Sequence, residues 1–336
     1  MAAFDNIRLE KGLYTTGKSF TQALESIDPS ENYKGTSLEG LDAYQRQLKR
    51  FDIKVGGRNS DSIEKFFRTT DSAALFPEYI SRAVHQGFTE NDMVSRMVAT
   101  TTEIDSLDYR SLGIDNTKRE NYMTPIFEGT HIPETRVSVK ENLVKLKKIG
   151  RMITSSYEAI KFQRLDLFTV ALKQIGYSIA MSEFYSALEA LLVGDGSGKD
   201  IQVITVENSG EFTYNDLLKL WSSFDEFKLT TLIMCNGMLS KVLRMEEFRD
   251  SAAGLSFHGT GKLITPFGAE IISFPGQEDE SIVAIDKSAA LERVQAGGIV
   301  TDFDKLIDRQ LERAAVTVTV GFANIYSDAA KMLSSY

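Results

Sequence analysis

Cysteine is nearly absent from this chain of 336 residues: Cys235 stands alone, so no intrachain disulfide can form and no zinc site built on cysteine pairs can be completed. Histidine is almost as scarce, with His85, His131 and His258 far apart and no H-E-x-x-H spacing to put two imidazoles on one helix face. A positive surplus is also missing. Thirty-eight Lys and Arg face forty-seven Asp and Glu, a formal charge of −9, so the chain is not expected to grip nucleic acid. Nowhere do about eighteen apolar residues run together, which excludes an expected helical membrane span. The opening residues contain Asp5 and no apolar run of about seven, so no secretory signal is expected there. Proline is scarce too, six against twenty Phe and twelve Tyr. Few prolines mean few obligatory breaks, which permits long elements. What is present, 42% hydrophobic and 25% charged residues, is an ordinary globular composition in a length that holds one large domain or two modest ones.

Residues 1 to about 70 are polar and broken by Gly12, Gly17, Pro29, Gly35, Gly40, Gly56 and Gly57, leaving room only for short helices such as one over 37–50, where Leu38, Leu41, Tyr44 and Leu48 fall at helical spacing. So narrow an apolar stripe cannot bury itself, and the segment is expected to be an extended arm needing another surface. Compact structure is expected from Leu75, with one helix opened by Phe76 and Pro77 and a second N-capped by Thr89. After Glu103 the pattern becomes strand-like. It then crosses a polar excursion holding Pro125 and Pro133, and returns through Val137, Ser138, Val139 and Lys140 to Val144, Lys145, Leu146 and Lys147. That period of two predicts a strand with one apolar and one lysine-bearing face, and two such strands around a polar tip predict a projecting β-hairpin. The lysines are either a solvated face or a contact with an acidic neighbour.

From 156 to 193 there is no proline and a single glycine, Gly176, which allows a helix of roughly 36 residues and about 54 Å. Leu165, Phe168, Leu172, Ile175 and Ile179 make one stripe, and Ala180, Phe184, Ala187, Leu188 and Leu191 carry burial onto an adjacent face. Gly194, Asp195, Gly196, Ser197 and Gly198 end it in a turn. Beyond lie short strands predicted over 201–206, 229–235, 267–274 and 282–285. Between them fall one helix capped by Thr213 with Asp216 and another capped by Asn236. Val316, Val318 and Val320 alternate with Thr317 and Thr319 in a long strand running towards Tyr326, and a short strand follows over 330–333.

Gly12, Gly17, Lys18 and Ser19 satisfy the P-loop pattern, and the run Ile282 to Asp286 resembles a magnesium-side strand. A P-loop needs a buried strand feeding it and a long helix leaving it. The preceding residues are mostly charged and Pro29 cuts the following helix short, so chance is the better account of the match and a nucleotide-binding protein the weaker. Cys235 lies in an apolar strand and reads as a small core residue. No carboxylate spacing singles out an acid/base pair. No catalytic residue, metal or cofactor is expected, and the chain is read as a non-enzyme.

The order of parts resembles the major capsid proteins of tailed phages, the Hong Kong 97 fold: polar arm, hairpin, long helix ending in a glycine turn, compact α/β unit and closing strand. The likeness is firmest from Val137 through the run Lys148 to Ser156 to the Gly194, Asp195, Gly196 turn, and a second stretch runs from Phe267 to Asp286, with Glu270 where proline is usual. The resemblance implies an α+β fold with an N-terminal arm at 1–74 and an extended loop at 104–148. A peripheral domain would take 75–103, 149–200 and 287–325 with a spine helix at 156–193, and an axial domain 201–286 and 326–336. It implies self-assembly into hexamers and pentamers of an icosahedral shell that encloses double-stranded DNA without sequence-specific binding, in a virion assembled in the host cytoplasm. Partners would be further copies of the chain, a separate scaffolding protein (the arm is too short for a fused one), a portal and a decoration protein, with no membrane. An encapsulin-type nanocompartment is the alternative on the same fold. The loop holds Lys118 and Lys140, but no acceptor for a covalent crosslink can be matched. Candidate inter-subunit contacts are Lys140, Lys145 and Lys147 against Glu103, Asp105 and Asp108.

Overall fold

The computed structural model describes residues 4–15, 19–106, 108–114, 125–129, 137–156, 162–196, 200–208, 210–249, 263–276, 281–306 and 311–335. In chain order the α-helices are α1 (Phe20–Ile27), α2 (Ala43–Arg50), α3 (Thr70–Ala73), α4 (Phe76–Glu90), α5 (Leu165–Val193), α6 (Tyr214–Ser222), α7 (Asn236–Val242) and α8 (Glu246–Arg249). The strands are β1 (Thr100–Glu103), β2 (Leu112–Ile114), β3 (Val137–Val139), β4 (Lys147–Ser156), β5 (Gln202–Thr205), β6 (Thr231–Cys235), β7 (Glu270–Phe274), β8 (Ser281–Ile285), β9 (Leu291–Gln295), β10 (Val300–Leu306), β11 (Leu311–Asn324) and β12 (Ala330–Ser334). The chain forms two compact units. One is Met1–Asn91, Ile149–Met181 and Ile299–Val318; the other is Asp92–Lys148, Ser182–Gly298 and Thr319–Tyr336. Both α5 and β11 contribute one part to each.

The segment expected to be an extended arm is folded into the first unit. Leu9, Phe20, Leu24, Tyr44, Leu48, Ile63 and Phe66 are buried in one apolar cluster with Tyr79, Val84, Leu165, Leu172 and Ile179. No single periodic stripe carries this burial. Helices α1 and α2 bury three apolar residues each, Phe20, Ala23 and Leu24 on one and Ala43, Tyr44 and Leu48 on the other, and polar caps hold the short helices: Ser19 with Gln22 on α1, Asp42 with Gln45 on α2, Thr69 with Ser72 on α3. The Asp42 cap is why α2 starts at Ala43 rather than at 37. Arg46 is wholly buried beneath it, Nε 2.9 Å from Asp28 Oδ2, Nη1 donating to Ser30 Oγ at 2.8 Å, and its plane over the Tyr33 ring. With Nη2 donating to the Asp28 carbonyl as well, the buried guanidinium leaves no nitrogen bare.

Helix α4 runs through Thr89, the expected cap of a second helix, because the Thr89 hydroxyl donates back to the His85 carbonyl and a 3-10 turn at Val94–Arg96 follows instead. Helix α5 starts at Leu165, not at 156. Lack of proline permits a helix but does not start one, and residues up to Ser156 belong to β4, whose Ile149 and Ile153 share a strand face and pack on the core. Within α5 the burial moves as expected, from Leu165, Leu172 and Ile179 to Ala180, Phe184, Ala187 and Leu191. Strand β11 alternates as its sequence predicts, with Ala314, Val316, Val318 and Val320 buried and the residues between them half-buried.

In the second unit β1 pairs parallel with β9, and β9 antiparallel with the later part of β11. A five-stranded sheet has the order β5-β12-β8-β6-β7, with β12 parallel to β5 and antiparallel to β8. Thr213 and Asp216 cap α6 reciprocally as predicted. The cap of α7 is Cys235 rather than Asn236: its buried Sγ accepts from the Met238 N–H at 3.3 Å. The single thiol therefore fills core space and ends a strand. Strands β2 and β3 pair antiparallel, Leu112 opposite Val139. The predicted run to Lys147 is split in two, because Val144 turns inward onto Val294 and Ala323.

Gly12 lies in a 3-10 turn, Ser19 caps α1, and no strand precedes them among the described residues; Gly17 and Lys18 lie outside those residues, as do Lys118, His131 and His258. Asp286 holds a turn, accepting from the N–H groups of Lys228 and Ser288. No helix of the described residues is long and apolar enough to cross a membrane, and among them no group of His, Cys, Asp or Glu is gathered to hold a metal.

Candidate assembly surface

The root of the hairpin is formed by Tyr109 and Ser111 on the outgoing limb and Lys140 and Asn142 on the returning one. Main-chain bonds tie the two limbs at their root, Lys140 N–H to Ser111 O and Val144 N–H to Tyr109 O, each 2.9 Å. Beyond the root the ribbon carries its apolar side chains on one face, since Leu112 faces Val139 across the pair and Val137 lies two residues on. That face is open: Leu112 is 55%, Val137 60% and Val139 59% exposed. A two-stranded ribbon is marginal by itself and exposed apolar side chains are not what stabilises it. Exposed apolar side chains gathered on one face are the kind of surface a partner molecule can cover.

Two buried carboxylates sit at the root. Glu292 of β9 accepts from Tyr109 OH at 2.7 Å and Thr102 Oγ1 at 2.6 Å on Oε1, and from Ser111 Oγ on Oε2. Burial first, then the Glu292 carboxylate, pushes the Tyr109 hydroxyl up from its ordinary pKa. Asp195 follows α5, between Gly194 and Gly196, whose φ values of 89° and 90° let the chain turn back sharply. Its Oδ2 accepts from the Asn324 N–H at 3.0 Å and lies 3.3 Å from Lys140 Nζ, while the Asn142 amide donates to its carbonyl.

Of the residues singled out from sequence, Lys140 is thus engaged within its own chain, donating also to the Asn324 carbonyl. Lys147 pairs with Glu189 of α5. Lys145 is exposed and has no ion-pair partner among the described residues, at the mouth of an open cleft of about 250 Å³ that also holds Glu189, Val193 and Gly321. On the acidic side Glu103 accepts from Gln295 at 3.0 Å, and Asp105 and Asp108 are exposed without an ion pair among the described residues. Sequence reasoning missed Glu292 and, behind it, a buried pair: Arg293 Nη2 lies 2.7 Å from Glu183 Oε1 on α5 and its Nη1 3.6 Å from Asp92. The available signal was the charged pair in the otherwise apolar run Leu291 to Val294.

No protein-family description and no curated protein sequence matches the chain. Solved structures do. The subunit of a virus-like particle from Pyrococcus furiosus matches with a TM-score of 0.53 at 12% identity, over 76% of this chain and 98% of that one. The capsid of an empty GTA particle matches at 0.51 and 14% identity, covering 71% and 88%. A structure of Microbacterium phage Oxtober96 matches at 0.52 and 10% identity, covering 73% and 91%. At these identities the likeness is one of fold, and the fold is the α+β Hong Kong 97 type, with its long helix, hairpin and compact α/β part.

Proposed function

We propose that the chain is the major capsid protein of a tailed phage, assembling through repeated copies of itself into hexamers and pentamers of an icosahedral shell around double-stranded DNA. The observation that carries this reading is the hairpin's open apolar face, which a solitary subunit leaves in water and a neighbouring copy would cover. The net charge of −9 suits a container that encloses a genome without gripping it. In this reading Lys145 meets the acidic stretch of Glu103, Asp105 and Asp108 on an adjacent copy. A separate scaffolding protein, a portal and a decoration protein complete the particle in the host cytoplasm. The chemistry asked of the chain is association, not catalysis.

Sedimentation velocity of the purified protein tests it. The wild type should give a fast-sedimenting closed species, or rings of five and six subunits when the scaffold is missing. The Val137→Ser, Val139→Ser variant should stay as folded single subunits with unchanged circular dichroism, and Lys145→Glu should lower the assembled fraction. Full assembly of the double serine variant would remove the hairpin from the contact.

A further inference from the structure

The two acidic residues at the hairpin root lie on other elements, Glu292 on β9 and Asp195 in the turn after α5, yet each holds one limb: the Glu292 carboxylate accepts from Tyr109 and Ser111, while at Asp195 the carboxylate faces Lys140 and the main-chain carbonyl accepts from Asn142. On the returning limb only Lys140 reaches the carboxylate itself; Asn142 adds a bond to the main chain of the same residue. Among the described residues the apolar packing at this point is a small cluster, Val144, Val294 and Ala323 with Ile104, Tyr109 and Leu146 around them. Packing resists separation but tolerates pivoting, whereas hydrogen bonds to a buried carboxylate are directional and are stronger than bonds between neutral groups. A ribbon with no core of its own takes its direction from whatever holds its root.

We propose that Glu292 and Asp195 are positioning residues that clamp the two limbs and so set the direction in which the hairpin projects towards its partner copy. The functional consequence rests on the shell reading above; the clamp itself is a property of the single subunit. Releasing one limb would let the ribbon swing, and each subunit would then have to fix its direction again on association, an ordering cost that weakens every contact the ribbon makes.

Hydrogen exchange on the unassembled subunit tests the clamp separately from assembly. Tyr109→Phe combined with Ser111→Ala removes the outgoing donors and leaves Glu292 with Thr102. Lys140→Met with Asn142→Ala does the same on the return. Either pair should lower protection of the amides in β2 and β3 tenfold or more, a larger drop than the amides of β9 and the later part of β11 show once the lowering of the urea midpoint by the lost donors is allowed for. The assembled fraction should fall in parallel. Unchanged protection in the ribbon would overturn the proposal, and so would an equal loss across β9, which would make these residues general supports. If the wild type forms neither rings nor particles with its scaffold supplied, the shell reading fails and the exchange result still decides the clamp.

Discussion

Gly176→Ala should destabilise the first unit by about 3 kcal/mol, a large effect for a single methyl group. The reason is the crossing of α4 and α5. A Cβ at Gly176 would sit 2.1 Å from the Val84 carbonyl oxygen and 2.5 Å from the Phe88 nitrogen, and one at Gly87 would sit 2.2 Å from the Lys173 carbonyl oxygen. These are main-chain atoms in helices, so no rotamer change makes room; the helices must part. Parting them opens the packing of Val84, Leu172 and Ile179 and stretches the 2.7 Å bond from Tyr79 OH to the Leu165 carbonyl. Gly87→Ala should cost a similar amount, and the double variant less than the sum, because one separation relieves both clashes. Gly56→Ala is the control, with nothing within 4 Å of its added Cβ, and should be neutral. Urea unfolding of the unassembled protein measures all four, and a Gly176→Ala change within about 0.5 kcal/mol would contradict the crossing.

The second large effect is a pH dependence from Glu183. Burial raises its carboxyl pKa from 4.5 to about 7, with Arg293 opposing and Asp92 adding to the rise. The guanidinium lies 2.7 Å away, but neither oxygen of Glu183 accepts a well-directed hydrogen bond. A raised carboxyl pKa means the folded state holds its proton longer than the unfolded state. Stability is therefore full below about 4.5, falls as pH rises to about 7, and is level above that, the difference amounting to about 3 kcal/mol. In Glu183→Gln this contribution disappears, since the amide carbonyl can still face Arg293 without a charge to desolvate. The variant should match the wild type near pH 4.5 and exceed it at pH 8. Urea midpoints that run parallel for the two proteins from pH 5 to 8 would contradict the assignment.

Elements whose burial follows one period could be read from the sequence. The alternation of Val316, Thr317, Val318, Thr319 and Val320 predicts β11, and the shift of burial along α5 follows from Leu172 and Ile179 giving way to Phe184 and Leu191. The Thr213 and Asp216 cap and the Gly194 turn are local chemistry and were equally plain. What stayed hidden depends on distant partners. Strand β9 has Glu292 and Arg293 where apolar residues would mark a buried strand, and their burial makes sense only beside Tyr109, Ser111 and Glu183. The first 74 residues looked unable to fold alone, and in isolation their few apolar residues would be too few. They are buried because α4 and α5 supply the other half of the cluster. The candidate site was legible to the same extent: the hairpin and its lysines were visible, but not that Lys140 and Lys147 have carboxylates of their own chain beside them.

Negative-stain electron microscopy of the purified wild-type chain, alone and co-expressed with the products of its neighbouring genes, tests the central claim most directly. The shell reading predicts closed icosahedral particles, or rings of five and six subunits when the scaffold is missing. Closed particles filled with a cargo enzyme would move the reading to a cellular compartment, and a monodisperse monomer under both conditions would contradict it.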